Sequence, residues 1–172
     1  MKSLRGAISL VSALVLIVAV LAGCSGTGSY ENAAKKVLSK VLPCTLEQAA
    51  QLEELLEEDV QGAAPDAAIA DTTRTEEYLS EKFSDVMTQK CINQTAANRA
   101  LFACKMLAEE YDEDITVGKI ELYGDISNDL LFYYNAELFA DGERVAIADG
   151  SVLLSDDGNN KADSFSVKIK EE

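Results

Sequence analysis

Carboxylates are the abundant reactive groups in this sequence. Its 172 residues hold 30 Asp and Glu against 15 Lys and Arg, with no His and no Trp, for a formal charge of −15. The run Glu109-Glu110-Tyr111-Asp112-Glu113-Asp114 offers the oxygens that Ca²⁺ takes as ligands, but it also has the form of a solvated helix end. Asp156-Asp157-Gly158-Asn159-Asn160 lacks the alternate-residue spacing and terminal Glu of a calcium loop and reads as a turn. A glycosidase pair would need one carboxyl raised in pKa by an apolar setting, and nothing singles out such a pair. The lack of His removes Ser-His-Asp and Cys-His catalysis, imidazole metal ligation and an imidazole pH switch. The chain therefore reads as a non-enzyme with no cofactor. Its negative charge argues against nucleic acid as a partner.

Four cysteines are present, Cys24, Cys44, Cys91 and Cys104. No Cys-x-x-Cys spacing points to zinc. Lys90 and Lys105 adjoin Cys91 and Cys104, but neighbouring residues on a helix point apart, so neither is placed to stabilise a thiolate. With Cys24 set aside, three thiols remain for the core, for a disulfide involving Cys44, or for a redox site. Tyr123, Tyr133 and Tyr134 fall on strands. Alternation sends some of them away from the core, either toward a ligand or partner or against a helix. Asn93-Gln94-Thr95 matches a glycosylation sequon.

The first residues carry an address. Lys2 and Arg5 precede an uncharged, Leu-, Val- and Ala-rich stretch from Ala7 to Gly23, the form of a secretion signal. Leu21-Ala22-Gly23-Cys24 resembles the bacterial lipobox. That resemblance implies diacylglyceryl attachment to the Cys24 sulfur and cleavage after Gly23. Residues 1–23 are then a signal peptide. Residues 24–30, with Ser25-Gly26-Thr27-Gly28-Ser29, form a flexible tether, and residues 31–172 form one domain. The expected location is the extracytoplasmic face of the cell membrane, held by lipid at Cys24. Two acyl chains make such an anchor stable where one is marginal. Loss of Lys2 and Arg5 makes the acidic excess two charges larger, so no polybasic attraction to anionic lipid assists.

Helical periodicity runs from Tyr30 to Leu42, with Ala33, Ala34, Val37, Leu38, Val41 and Leu42 on one face. Pro43 ends it. Thr45 and Gln48 make a capping box for a helix from about Leu46 to Val60, whose apolar face is Leu46, Ala49, Ala50, Leu52, Leu55, Leu56 and Val60. Ala63 to Thr73 reads as a loop. A third helix begins near Thr75, with Tyr78, Leu79, Phe83, Val86 and Met87 as its stripe. Thr88 caps a short turn, Asn93 to Thr95 is a break, and a fourth helix covers Ala96 to Tyr111. Strand alternation then takes over: Ile115 to Tyr123 with a bulge at Gly118, Leu130 to Ala140, Arg144 to Leu154, and Ser164 to Lys170. Asp141-Gly142 is a hairpin signal. Val145, Ile147, Val152 and Leu154 share a face if a second bulge lies at Asp149-Gly150. Phe165, Val167 and Ile169 face inward on the last strand. Helices followed by strands imply an α+β fold, with the helices packed on a curved four-stranded antiparallel sheet.

Tyr30-Glu31-Asn32-Ala33-Ala34-Lys35-Lys36, Met87-Thr88-Gln89-Lys90-Cys91, Ala97-Asn98-Arg99 and Ala162-Asp163-Ser164-Phe165-Ser166-Val167-Lys168-Ile169 resemble segments of the small NTF2-like lipoproteins of Gram-positive bacteria. That resemblance implies a cone-shaped domain. Active members of the wider family use a polar group deep in the cone, and no residue here matches one. Two functions follow as expectations. One is a non-catalytic binding module whose cone or sheet face holds a small apolar ligand, peptide or envelope component. The other is an acidic factor, of immunity or assembly type, that meets a basic protein at the cell envelope.

Overall fold

The computed structural model describes residues 27–62 and 72–171. The signal peptide and Cys24 lie outside the described residues, as does most of the Ala63–Thr73 stretch. Five helices precede four strands: α1 (Thr27–Val41), α2 (Leu46–Gly62), α3 (Thr73–Phe83), α4 (Gln89–Ala97), α5 (Phe102–Tyr111), β1 (Thr116–Asp125), β2 (Asn128–Ala140), β3 (Glu143–Leu154) and β4 (Ala162–Glu171). The strands form an open antiparallel meander in the order β1-β2-β3-β4. The helices pack against one face of it, which is the expected α+β architecture.

α1 begins at Thr27, inside the stretch read as tether, so helix rather than flexible linker follows from that residue. Ala34, Val37, Leu38 and Val41 recur at helical spacing, and all are buried, as is Leu42 just beyond the helix. This stripe lies across the inner face of β1, β2 and β3. Each fully buried Leu or Val contributes about 1.5–3 kcal/mol, which outweighs the weak helix propensity of the β-branched valines. The capping box forms as expected: Gln48 N donates to Thr45 Oγ1 at 3.1 Å, and Thr45 N donates to Gln48 Oε1 at 3.0 Å. Asp114 adds a further cap from a distant loop, accepting from Leu46 N at 2.8 Å.

The apolar face of α2 is narrower than its sequence suggests. Ala49 and Leu52 are buried, Leu55 and Leu56 are half-buried, and Leu46 and Ala50 are exposed. The reason is that α2 packs on α3 and α5, and part of that contact is ionic. Lys105 Nζ, on α5, lies 2.6 Å from Glu53 Oε2 and 2.7 Å from Glu109 Oε2. The Lys105 side chain is only 7% exposed, so its charge is held by two carboxylates in place of water. Burial opposes that charge, but the bonds to Glu109 and Glu53 outweigh it and raise the Lys105 pKa.

The helical break falls later than the sequence implies. Thr88 caps α4, its side chain accepting from Cys91 N at 3.2 Å. The helix then continues through Asn93–Thr95, because Cys91, Ile92, Thr95 and Ala96 form one continuous buried face. The chain turns instead at Asn98–Leu101, where Arg99 takes a left-handed φ of 51°. A C-terminal αL residue, Asp112 at φ 53°, ends α5.

The sheet carries the expected register with one correction. β1 slips between Val117 and Ile120, the bulge read at Gly118. Asp141 and Gly142, at φ 47° and 78°, make the hairpin turn that needs two left-handed residues. Phe132, Tyr134, Ala136 and Leu138 all face the core. On β3, however, no bulge occurs at Asp149-Gly150. Pairing with β2 is continuous from Leu131↔Leu153 to Leu138↔Ala146 and slips only beyond Leu138, beside Val145. The inner face of β3 is therefore Ala146, Ala148, Gly150, Val152 and Leu154, and Ile147 points outward. Small residues are needed there because α1 and the Tyr134 ring press close to the strand. Apolar size alone therefore misreads the phase.

Candidate functional site

Register places side chains on rungs across the outer face of the sheet. Tyr123, Tyr133, Ser151 and Ser166 are successive cross-strand partners on all four strands. Glu121, Asn135, Asp149 and Lys168 form the next rung. Directly paired residues hold their Cβ atoms about 4.5–5.5 Å apart, so the two Tyr side chains are neighbours. Each Tyr is 50% exposed. Tyr134, one residue on, points to the core. The three tyrosines thus divide as alternation requires.

A shallow groove of about 370 Å³ follows these rungs, lined by Tyr123, Tyr133, Asn135, Asp149, Ser151 and Ser166 around Gly150 and Tyr134. Ser151 and Ser166 hold their hydroxyls 2.9 Å apart, and Ser151 N donates to Ser166 Oγ at 3.1 Å. Tyr123 donates its hydroxyl to Glu121 Oε2 at 3.0 Å. Three carboxylates of this face have a cation: Lys119 at 2.5 Å from Glu121, Arg144 at 3.2 Å from Glu137, and Lys170 at 2.8 Å from Asp149. The Lys170 contact meets the charge of the buried Asp149 Oδ1 without the alignment of a hydrogen bond. The Tyr133 hydroxyl and the Asn135 amide have no partner among the described residues.

Gly150 sets the floor of the groove. A Cβ at this position would lie 2.0 Å from the Ser166 carbonyl oxygen and 3.0 Å from the Tyr134 hydroxyl. Only glycine lets β4 approach this closely. Tyr134 spans the gap on the inner side and donates to Ser166 O at 3.0 Å. Its ring lies nearly parallel to that of Phe165, centroids 6.4 Å apart. Burial pushes the Tyr134 phenol pKa up, so it stays a neutral donor at any physiological pH.

Among the described residues the core between helices and sheet is packed with buried side chains. Between α1, α2, α3 and α5 a void of about 10 Å³ is bordered by Cys44, Leu52, Tyr78, Phe83, Leu101 and Cys104. That is at the lower limit for one water molecule, so this apolar gap is a packing defect and not a ligand cavity. Cys44, Cys91 and Cys104 are all free and buried. Desolvation raises the Cys44 and Cys91 thiols to about 11 and the Cys104 thiol to about 12. They are core thiols, unionised and shielded from oxidants. Among the described residues no cluster of Asp, Glu or Cys is arranged to hold a metal ion. In the two acidic runs, Asp157 accepts from its own turn, at Asn159 N and Nδ2, and Asp114 caps α2. Among the described residues no helix is long and apolar enough to cross a membrane.

The tyrosines of the groove were marked by sequence; Asn135, Asp149, Ser151 and Ser166 were not. No local signal could have found them, because they meet only through the register of four strands. The chain matches no protein-family model, no curated protein and no solved structure.

Proposed function

We propose that this chain is a non-catalytic binding module of the bacterial envelope, resembling the NTF2-like lipoproteins and held by lipid on Cys24 at the extracytoplasmic face of the membrane. Its ligand face is the outer surface of the sheet. The single observation behind this assignment is the groove of paired tyrosines flanked by Asn135, Ser151 and Ser166 on a sheet face that no described helix covers. Aromatic faces supply contact area at low entropic cost, and a few fixed polar groups set orientation. The carboxylates beside the groove already have cations, so recognition rests on stacking and uncharged hydrogen bonds. The Tyr133 hydroxyl and the Asn135 amide are the spare donors and acceptors.

Comparative capture tests this. Full-length protein and a Tyr123→Ala/Tyr133→Ala variant, each with its anchor intact, are recovered from native envelope after mild cross-linking. The expected result is one or more envelope components held by the wild type and lost from the variant, with both proteins melting within about 2 °C of each other, since surface changes cost little. An identical set of components on both proteins would rule the groove out as the binding face.

A further inference from the structure

A second surface lies on the far side of β4. α5 carries the half-buried Ala103 and the exposed Met106 and Glu110 at three- and four-residue spacing, beside the buried Leu107, and this stripe faces Ile169 and Glu171 of β4 across a cleft of about 530 Å³. Its floor is apolar, from Ala103, Leu107 and Ile169. Met106, 65% exposed, stands at the mouth. Its rim is acidic, from Glu109, Glu110 and Glu171. Among the described residues no cation pairs with Glu110 or Glu171 of that rim. Lys105 is buried between Glu53 and Glu109, while Lys168 and Lys170 alternate to the outer face of the sheet, where Lys170 pairs with Asp149.

We propose that this cleft is a docking site for a cationic amphipathic segment of a partner protein, which seats an apolar side chain against Met106 and Ile169 and sets Lys or Arg on Glu110 and Glu171. The charge complementarity is specific in sign. An apolar floor inside a carboxylate rim matches an apolar stripe flanked by basic residues and repels its acidic counterpart. Methionine suits such a floor because its unbranched thioether adapts to the shape of the guest. The net charge of −15 steers the same class of partner toward the domain from a distance. This site is independent of the tyrosine groove and stands whether or not that groove binds a ligand.

The test must separate docking from the general attraction of an acidic protein for cations. The full chain is held in discs of zwitterionic lipid, with empty discs as the baseline. A fluorescent Lys/Leu peptide of about four helical turns, with Leu at helical spacing, is titrated by anisotropy. A peptide of the same composition with its Leu residues scattered is titrated in parallel. The expected result is at least tenfold weaker binding to Met106→Asp, although that change makes the protein more negative. Glu110→Lys should weaken binding at least tenfold as well, and the scattered peptide should bind wild type at least tenfold more weakly than the amphipathic one. Equal or tighter binding by Met106→Asp, or equal binding of the two peptides, would overturn the proposal. Met106→Ala, which keeps the charge and shortens the side chain, should fall between wild type and Met106→Asp.

Discussion

Adding one methyl group at Gly150 tests how the floor of the groove is built. In Gly150→Ala the new Cβ would sit 2.0 Å from the Ser166 carbonyl oxygen, 2.8 Å from its carbon and 3.0 Å from the Tyr134 hydroxyl. Two of these atoms are backbone, so the clash cannot be relieved by turning a flexible side chain. Either β4 moves away from β3, or Tyr134 swings off Ser166. Overpacking of this kind costs about 1–3 kcal/mol, and loss of the Tyr134–Ser166 hydrogen bond adds about 1 kcal/mol. For a domain of this size each 1 kcal/mol lowers Tm by roughly 2–4 °C, so a fall of roughly 5–15 °C is expected. Thermal unfolding followed by far-ultraviolet circular dichroism measures it. Gly124→Ala is the control, because a Cβ at Gly124 meets nothing within 4 Å and should change stability by less than about 0.5 kcal/mol. A Gly150→Ala protein that melts with its Gly124→Ala counterpart would refute the close approach of β4 and the β3 register derived from it.

Other outcomes follow from the same contacts. Lys105→Ala should cost about 1–3 kcal/mol in chemical denaturation, because it strips charged hydrogen bonds from Glu53 and Glu109; Lys105→Met, which restores the buried stem but not the charge, should recover only the packing part of that loss, and a Met protein as stable as wild type would mean the ion pairs contribute nothing net. Cys44, Cys91 and Cys104 should resist iodoacetamide in the folded protein and react together on unfolding, as peptide mapping would show; rapid labelling of any one of them in native buffer would contradict its burial. Hydrogen bonds from Lys40 and Lys90 hold the Asp85 and Asp163 carboxyls below their ordinary pKa. A depressed native pKa stabilises the fold above the unfolded value of about 3.9 and loses that effect as pH falls through the native value. Tm should therefore be flat from pH 5 to 8 on account of these groups and decline below about pH 4, less steeply in Asp163→Asn; an Asp163→Asn curve parallel to wild type in acid would exclude that pair.

Much of the architecture was legible because local chemistry and global packing agree. The α1 stripe, the Thr45–Gln48 box, the Thr88 cap, the Gly118 bulge and the Asp141-Gly142 turn each depend on residues within a few positions of one another. Where contacts are distant, the sequence misleads. Ala146, Ala148 and Gly150 resemble a slack stretch of strand, yet they form an inner face whose small size fits the side chains pressed against it. Asn93–Thr95 has the composition of a break, but Thr95 and Ala96 are buried, and burial carries the helix past them. Lys105 stands in the sequence only as a neighbour of Cys104, with no local mark of its burial, and is enclosed between two helices. The groove lies at the extreme of this trend, since Tyr123 and Ser166 share a rung only after three strand pairings are fixed. The acidic cleft is intermediate: the Ala103, Met106, Glu110 spacing is visible on α5, but its opposite wall on β4 is not.

Anchoring at Cys24 is the premise on which the envelope role rests, and intact-mass spectrometry of the protein extracted from membranes measures it directly. The expected species is a chain that begins at Cys24, lacks residues 1–23 and carries the added mass of a diacylglyceryl group on its first residue. A chain that retains Met1 to Gly23 with an unmodified Cys24 thiol would contradict it.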